Sequence, residues 1–204
     1  MQIFEDRESA SAYTAELISN TLIARLQTQE RASCVVSGGS TPLVCLRMLS
    51  ETELPWQRID VTLTDERDVP ATHPESNEKM ARENLLTARA ASARFIFLEQ
   101  KAVARLTPFT TTLVGMGEDG HFASIFPNSP QLAEALKSDS ELIKVSTPSS
   151  PYSRISMTLN ALTQSEVIIL LIFGDDKRRI IEAPENYPVN HLLTAAPINI
   201  VWAP

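Results

Sequence analysis

The sequence has little glycine, little cysteine and no excess of basic charge, and each scarcity excludes a class of protein. It carries 18 lysines and arginines against 25 aspartates and glutamates, a formal net charge of −7 at pH 7. Binding the phosphates of duplex DNA requires a basic face, so this balance argues against a nucleic-acid partner. The two cysteines, Cys34 and Cys45, lie in apolar segments without Cys-x-x-Cys spacing, which predicts buried thiols rather than a disulfide or a metal site.

Long apolar runs are missing as well. No stretch of the sequence approaches the ~20 apolar residues that cross a bilayer. Residues 1–6 combine neither the basic flank nor the apolar stretch of a signal peptide, so we expect a cytoplasmic protein without a membrane partner. With 204 residues, 43% of them hydrophobic, the chain is predicted to form one domain over residues 1–204.

Apolar segments that alternate with helical patterns predict an α/β protein. Strands are predicted at Cys34–Ser37, Ile59–Thr64, Arg94–Leu98, Thr111–Val114, Ile155–Leu159, Val167–Phe173 and Ile198–Trp202, and helices at Ser9–Glu30, Leu43–Leu49, Ser76–Ala88 and Pro130–Leu136. Thr41 is expected to be the N-cap of the second helix and Pro42 its first residue. This order predicts a single-domain, three-layer Rossmann-like fold with a largely parallel central sheet, in which 167–173 is a central strand and 155–159 an added one.

The glycines are confined to three short stretches, each directly after an apolar run. They are Gly38 and Gly39, then Gly115, Gly117 and Gly120, and finally Gly174. An average composition of about 7% would supply roughly 14 glycines. Glycine is useful where a ligand approaches the main chain, and ligands of parallel sheets bind beyond the carboxyl ends of the strands. Ordinary turns account for any one stretch, but the three together predict a binding crevice at this edge of the sheet.

The first glycine stretch precedes a predicted helix and is suited to a phosphate. Its candidate residues are Ser37, Gly38, Gly39, Ser40 and Thr41. The free N–H groups and the positive dipole end of a helix N-terminus attract anions. The stretch matches neither the Walker pattern nor the dinucleotide fingerprint, so neither ATP nor NAD is expected. Arg154 and Lys177 lie beside other strand ends and are candidates to bind the same phosphate, although each alone is better explained as an ordinary surface charge.

The second glycine stretch carries candidate acid–base residues. The histidine side chain can accept a proton from water at working pH, and Asp119 can hold the tautomer of the His121 ring, which is a general-base arrangement. Asp65 and Arg67 follow another predicted strand and add charges at the same edge. With 3 histidines far apart in sequence we expect no metal site. The alternative for His121 is a structural histidine that caps a turn.

Four blocks, in this order, resemble the 6-phosphogluconolactonase family. They are Ser37 to Pro42, Asp65 to Pro70 with Ser76-Asn77, Gly115 to His121, and Ser124 to Pro127. Glucosamine-6-phosphate deaminases belong to the same family and are the nearest alternative. They carry Asp-Glu-Tyr where this chain has Asp65-Glu66-Arg67, and Glu-Pro where it has Phe126-Pro127. Phenylalanine cannot replace that glutamate in proton transfer, so the resemblance favours a lactonase.

The resemblance implies hydrolysis of 6-phospho-D-glucono-1,5-lactone to 6-phosphogluconate in the oxidative pentose phosphate pathway, without cofactor or metal. In that reaction His121 would activate a water, Asp119 would orient the water or the imidazole, Arg67 would stabilise the oxyanion, and Asp65 would hold sugar hydroxyls or Arg67. The 37–41 loop, Arg154 and Lys177 would bind the phosphate. A deaminase and a non-catalytic sugar-phosphate-binding module remain alternatives, and the oligomeric state stays open between monomer and homodimer.

Overall fold

The computed structural model describes residues 1–183 and 187–204. The strands of this part of the chain are β1 (Gln2–Ile3), β2 (Ala32–Val36), β3 (Ile59–Leu63), β4 (Asp65–Arg67), β5 (Arg94–Phe95), β6 (Phe109–Val114), β7 (Leu142–Val145), β8 (Arg154–Met157), β9 (Ser165–Phe173) and β10 (Ile198–Ala203). Its α-helices are α1 (Arg7–Thr28), α2 (Leu43–Glu51), α3 (Asn77–Asn84), α4 (Gln100–Ala104), α5 (Leu132–Lys137), α6 (Leu159–Thr163), α7 (Asp175–Glu182) and α8 (Pro188–Ala195). Short 3-10 helices cover Trp56–Arg58 and Ala88–Ser92.

A seven-stranded sheet, ordered β1-β10-β9-β6-β2-β3-β5, forms the middle layer. Every neighbouring pair in it is parallel, so all carboxyl ends lie at one edge. The chain runs outward from β2 through β3 to β5 and then returns to β6 on the other side of β2. The order of strands therefore reverses between β2 and β6, which is where a parallel sheet opens a crevice for ligands.

Two apolar clusters cover the two faces of this sheet. Along β9, Ile169 and Leu171 belong to the cluster that includes residues of α1 and α2, whereas Ile168 and Leu170 belong to the one that includes residues of α6 and α8. Successive side chains of a strand point to opposite faces, so a strand covered on both sides is apolar throughout. Burying each such side chain contributes roughly 1.5–3 kcal/mol. The predicted three-layer α/β fold is confirmed.

A second sheet of three antiparallel strands, β4-β8-β7, lies beside the first. The predicted added strand is present as β8, which pairs with β4 on one side and β7 on the other. The chain passes between the sheets at Thr64, whose N–H donates to Val36 O in one direction while its carbonyl accepts from Met157 N in the other. The segment 65–67 is therefore a strand of its own rather than a loop after β3.

Several predicted boundaries are wrong. The helix expected over 76–88 ends at Asn84, and residues 88–92 form a separate 3-10 helix. The strand expected over 94–98 is only the two-residue edge strand β5. The second helix begins at Leu43 with Pro42 as its N-cap, and no side chain caps it. Thr41 therefore does not take the predicted capping role.

Cys34 and Cys45 are both buried and unpaired, as predicted. Burial raises the pKa of the Cys34 thiol to about 11 and that of Cys45 further still. Across residues 1–183 and 187–204, no helix has both the length and the apolar composition that a membrane span requires.

Candidate active site

A cavity of about 230 Å³ opens at the carboxyl edge of the central sheet. Asp119 apart, every predicted site residue lines it: Ser37, Gly38, Gly39, Ser40, Thr41, Asp65, Arg67, His121, Arg154 and Lys177. The lining also includes Asn77, Gly115, Met116, Gly117 and Ala123, which were not among the predicted site residues. Segments up to 140 residues apart in sequence thus meet around one opening, from residue 37 to residue 177.

The loop after β2 presents main chain and one exposed hydroxyl to the cavity. The buried Ser37 hydroxyl donates to Leu113 O at 2.8 Å and accepts from Gly115 N at 3.1 Å, so it joins the ends of β2 and β6. Ser40 is exposed, and Gly39 has a φ of +87° that disfavours any side chain. Because no side chain caps α2, the N-terminus of this helix remains open to an anion.

Gly38 allows this loop to lie close against α3. A Cβ atom built on Gly38 would come within 1.9 Å of Asn77 Oδ1. Asn77 Nδ2 in turn donates to Asp65 O at 2.8 Å. A side chain at position 38 would therefore push apart the loop and the segment that carries Asp65.

His121 and Asp119 form a hydrogen-bonded pair beside the cavity. The distance from His121 Nδ1 to Asp119 Oδ1 is 2.5 Å, and the same oxygen accepts from His121 N at 3.1 Å. Burial raises the pKa of the Asp119 carboxyl, but the hydrogen bond and charge of His121 outweigh it and hold that pKa below its ordinary value. An ionised Asp119 can only accept, so Nδ1 carries the proton of a neutral ring and Nε2 keeps its lone pair.

The imidazole is fixed by close contacts but stays accessible. A Cβ atom on Gly117 would lie 2.2 Å from His121 Nδ1, so glycine is required for the ring to sit there. The ring also contacts Phe126, with centroids 4.2 Å apart and planes inclined by 34°. The His121 side chain is nevertheless 29% exposed. The ring can therefore meet a ligand in the cavity.

Two arginines of the small sheet face each other across β4 and β8. Arg67 lies directly opposite Arg154 in the register of the strands. Like charges in such a position destabilise a sheet, so the pair has a cost that an anion would remove. Burial, together with the charge of Arg67, lowers the pKa of Arg154. Nε of each guanidinium is buried and has no hydrogen-bond partner within the described part of the chain. Both groups are suited to bind an anion.

The carboxylates near these arginines are already engaged. Arg67 donates to Glu75 O, and its Nη1 lies 3.6 Å from Glu75 Oε2. Asp65 is buried, accepts from Ser124 Oγ at 2.6 Å, and lies 3.7 Å from Arg154 Nη1. The cation beside Asp65 is therefore Arg154, where the resemblance had suggested sugar hydroxyls or Arg67 as its partner.

Lys177 reaches the cavity from the first turn of α7, directly after Gly174. The sequence pattern did not predict this helix. Gly174 has a φ of +89°, and this conformation turns the chain from β9 into the helix. Burial lowers the pKa of the Lys177 ammonium group. A half-buried cation of this kind is stabilised by an anionic ligand.

Sequence reasoning missed two residues that support the site. Glu66 accepts from Asn77 N at 2.8 Å and from Glu78 N at 2.7 Å, so it binds the N-terminus of α3 and holds β4 against this helix. Phe126 contacts His121 and also Arg154, whose guanidinium carbon is 5.1 Å from the ring centroid. Both residues lie within the blocks that carried the family resemblance, which was the available signal. In the described ranges no three His, Cys, Asp or Glu side chains are arranged to hold a metal ion.

Comparison with known proteins identifies the class to which this fold and site belong. The profile of the glucosamine-6-phosphate isomerases/6-phosphogluconolactonase family matches residues 5–202, and the chain belongs to this family. The 6-phosphogluconolactonase of Pseudomonas aeruginosa is 37% identical over 219 residues, covering 97% of this chain and 91% of that protein. The 6-phosphogluconolactonase of Caulobacter vibrioides is 34% identical over 224 residues, covering 100% of this chain and 97% of that protein. A crystal structure of a 6-phosphogluconolactonase from Shewanella baltica superposes with a TM-score of 0.93 at 30% identity. The superposition covers 100% of this chain and 97% of the other.

Proposed function

We propose that this protein hydrolyses 6-phospho-D-glucono-1,5-lactone to 6-phosphogluconate, a step of the oxidative pentose phosphate pathway. Relatives of this name match the chain over nearly its whole length. The observation that carries the proposal is the placement of His121, bonded through Nδ1 to Asp119, at the same cavity as Arg67, Arg154 and Lys177. A proton acceptor and several cations in one opening match a substrate with an acyl carbon at one end and a phosphate at the other.

His121 acts as the general base in this proposal. Nε2 takes a proton from a water molecule as the water oxygen attacks the lactone carbonyl carbon, and Asp119 stabilises the imidazolium. The tetrahedral intermediate then collapses with cleavage of the bond from this carbon to the ring oxygen. The same Nε2 returns its proton to the ring oxygen, which becomes a hydroxyl of 6-phosphogluconate. The ring is therefore neutral again at the end of the cycle.

Arg67 stabilises the oxyanion that forms on the carbonyl oxygen. Its guanidinium is fixed by Glu75, while its buried Nε has no partner among the described residues. A preorganised donor of this kind contributes ~3 kcal/mol to stabilising the transition state. Asp65, with Ser124 and Arg154 around it, lines the cavity where the sugar hydroxyls would lie.

The phosphate binds between the loop after β2, Arg154 and Lys177. Main-chain N–H groups at the N-terminus of α2 and the Ser40 hydroxyl contact its oxygens, and the two cations neutralise its charge. This contact fixes the distance from the phosphate to the reacting carbon. We further propose that the enzyme works in the cytoplasm as a monomer or homodimer and binds no nucleic acid, in keeping with its net charge of −7.

One assay tests this function. Acid release from freshly prepared 6-phosphogluconolactone is followed against spontaneous hydrolysis, and ammonia release from glucosamine 6-phosphate is followed in parallel. We expect accelerated lactone hydrolysis and no ammonia. Ammonia without lactone turnover would identify a deaminase, and saturable binding of both sugar phosphates without turnover would identify a binding module.

A further inference from the structure

A second cavity, of about 370 Å³, lies at the opposite edge of the central sheet, where the strands begin. Its lining includes the first residues of β2 and β5 and the segment that leads into β6. Four arginines surround it: Arg25, Arg31, Arg94 and Arg105. This concentration of positive charge stands out on a chain whose net charge is −7.

Two of these arginines bind the same buried carboxylate. Asp60, whose side chain is 4% exposed, accepts from Arg31 at 2.6 and 3.0 Å and from Arg94 at 2.7 and 2.8 Å. Burial raises the pKa of Asp60, but the two guanidiniums outweigh it and hold that pKa below its ordinary value. A single arginine would neutralise Asp60. The second one leaves a positive charge at the cavity.

Asp60 does not neutralise the charges of the other two arginines, Arg25 and Arg105. Arg25 pairs with Glu166, yet its Nε is buried and has no hydrogen-bond partner within the described ranges. Arg105 is exposed and lines the cavity. The four guanidiniums thus face two carboxylates, those of Asp60 and Glu166, and leave an excess of two positive charges.

We propose that this cavity binds a small organic phosphate. The excess of two positive charges balances the two negative charges of a phosphate dianion, and guanidinium groups match phosphate oxygens in geometry. Ile96, Leu106 and Pro108 provide an apolar wall for the carbon portion of such a ligand. The cavity is within the range of about 300–1,000 Å³ that is usual for small-molecule sites. This site lies across the sheet from the candidate active site and does not depend on the proposed function.

Nuclear magnetic resonance of the full-length, ¹⁵N-labelled chain tests the proposal, with inorganic phosphate and phenyl phosphate as probes and benzoate as a carboxylate comparison. Amide signals of Ser33, Ile96 and Thr110 report on the second cavity, whereas those of Ser40 and Gly117 report on the candidate active site. We expect saturable shifts of the Ser33, Ile96 and Thr110 amides. Phenyl phosphate should bind more tightly than inorganic phosphate, and benzoate should bind more weakly than either phosphate. Shifts confined to the amides of the candidate active site, or no saturable shift at all, would overturn the proposal.

Arginine variants identify the contacts. Arg105→Gln and Arg25→Gln are each expected to raise the Kd of phenyl phosphate at the second cavity about tenfold, as expected when a charged hydrogen-bond donor is removed. Arg89→Gln is the matched control, because Arg89 is exposed and lines neither cavity. An equal loss of affinity in Arg89→Gln would show that binding depends only on the net charge of the protein, which would contradict the proposed site. Arg105→Gln disturbs no ion pair with Asp60 or Glu166, so its result stands even if Arg25→Gln destabilises the fold.

Discussion

The central sheet and the small sheet contribute different groups to one cavity. The carboxyl ends of β2, β6 and β9 lead into main-chain loops, His121 and Lys177, whereas β4 and β8 supply Asp65, Arg67 and Arg154. A parallel sheet with helices on both faces opens only at its ends, which favours loops and helix N-termini. A short antiparallel pair instead places charged side chains side by side. The proposed proton acceptor thus belongs to the large sheet and most of the charge to the small one.

Replacing His121 by alanine tests the assignment of chemistry to the central sheet and should have the largest effect. We expect kcat to fall by ~10²-fold or more, since the variant has no proton acceptor, while KM changes little. Steady-state kinetics on fresh lactone, corrected for spontaneous hydrolysis, measure both constants. An unchanged kcat would remove His121 from this role.

Gly117→Ala sharpens the same assignment without removing a polar group. Its Cβ would lie 2.2 Å from the imidazole and displace the ring, and a misplacement of about 1 Å can cost up to ~10²-fold in rate. We expect kcat to fall by ~10-fold or more with the chain still folded. Gly115→Ala is the matched control, because a Cβ atom added at Gly115 would meet nothing within 4 Å. Equal losses in both variants would show that the loop, rather than the ring, is disturbed.

Arg154→Gln tests the contribution of the small sheet. Removing one cation from the phosphate should raise KM by ~10-fold and change kcat less, because the contact is made before and during the reaction. Lys177→Gln should behave in the same way from the central sheet. Lys101→Gln, an exposed position that lines neither cavity, controls for net charge. A fall in kcat with constant KM would instead place Arg154 at the reacting carbon.

Asp60→Asn should have the smallest effect on activity, and its measurable consequence here is on stability. The pKa of folded Asp60 lies below its ordinary value of 3.8, so its stabilising contribution is complete above that pH and is lost as the pH falls through the lower folded value. We expect the variant to lose ~1–3 kcal/mol in unfolding free energy near pH 7, and less near pH 3. Urea unfolding measures this difference, with Asp139→Asn at an exposed position as the control. A loss that grows in acid would contradict the assignment.

The large sheet could be predicted from local pattern, and the small sheet largely could not. β9 is apolar over most of its length because both faces are covered, and the glycines mark the ends of β2, β6 and β9. β4 is only three residues long and pairs with a strand some 90 residues later, so no local periodicity reveals it. Helix α7 was missed for another reason: Asp175, Asp176, Lys177 and Arg178 begin it, and a charged start conceals its apolar face.

The same division applies within the site. His121 and Asp119 are close in sequence, so their pairing could be predicted from spacing alone. The contacts of Asp65 with Ser124 and Arg154 join segments that only the folded chain brings together. Sequence reasoning therefore named Asp65 and Arg154 as site residues but not their contact, since it offered sugar hydroxyls or Arg67 as the partner of Asp65.

The opposed guanidiniums of Arg67 and Arg154 have a consequence for the ligand-free protein. Asp65 and Glu75 offset part of the mutual repulsion of these guanidiniums in the empty cavity, and a phosphate bound by Arg154 offsets more of it. Substrate binding and thermal resistance are thus linked, and occupancy by a sugar phosphate raises the melting temperature by more than its other contacts would. We therefore expect the folded protein to have its lowest melting temperature when no substrate is bound.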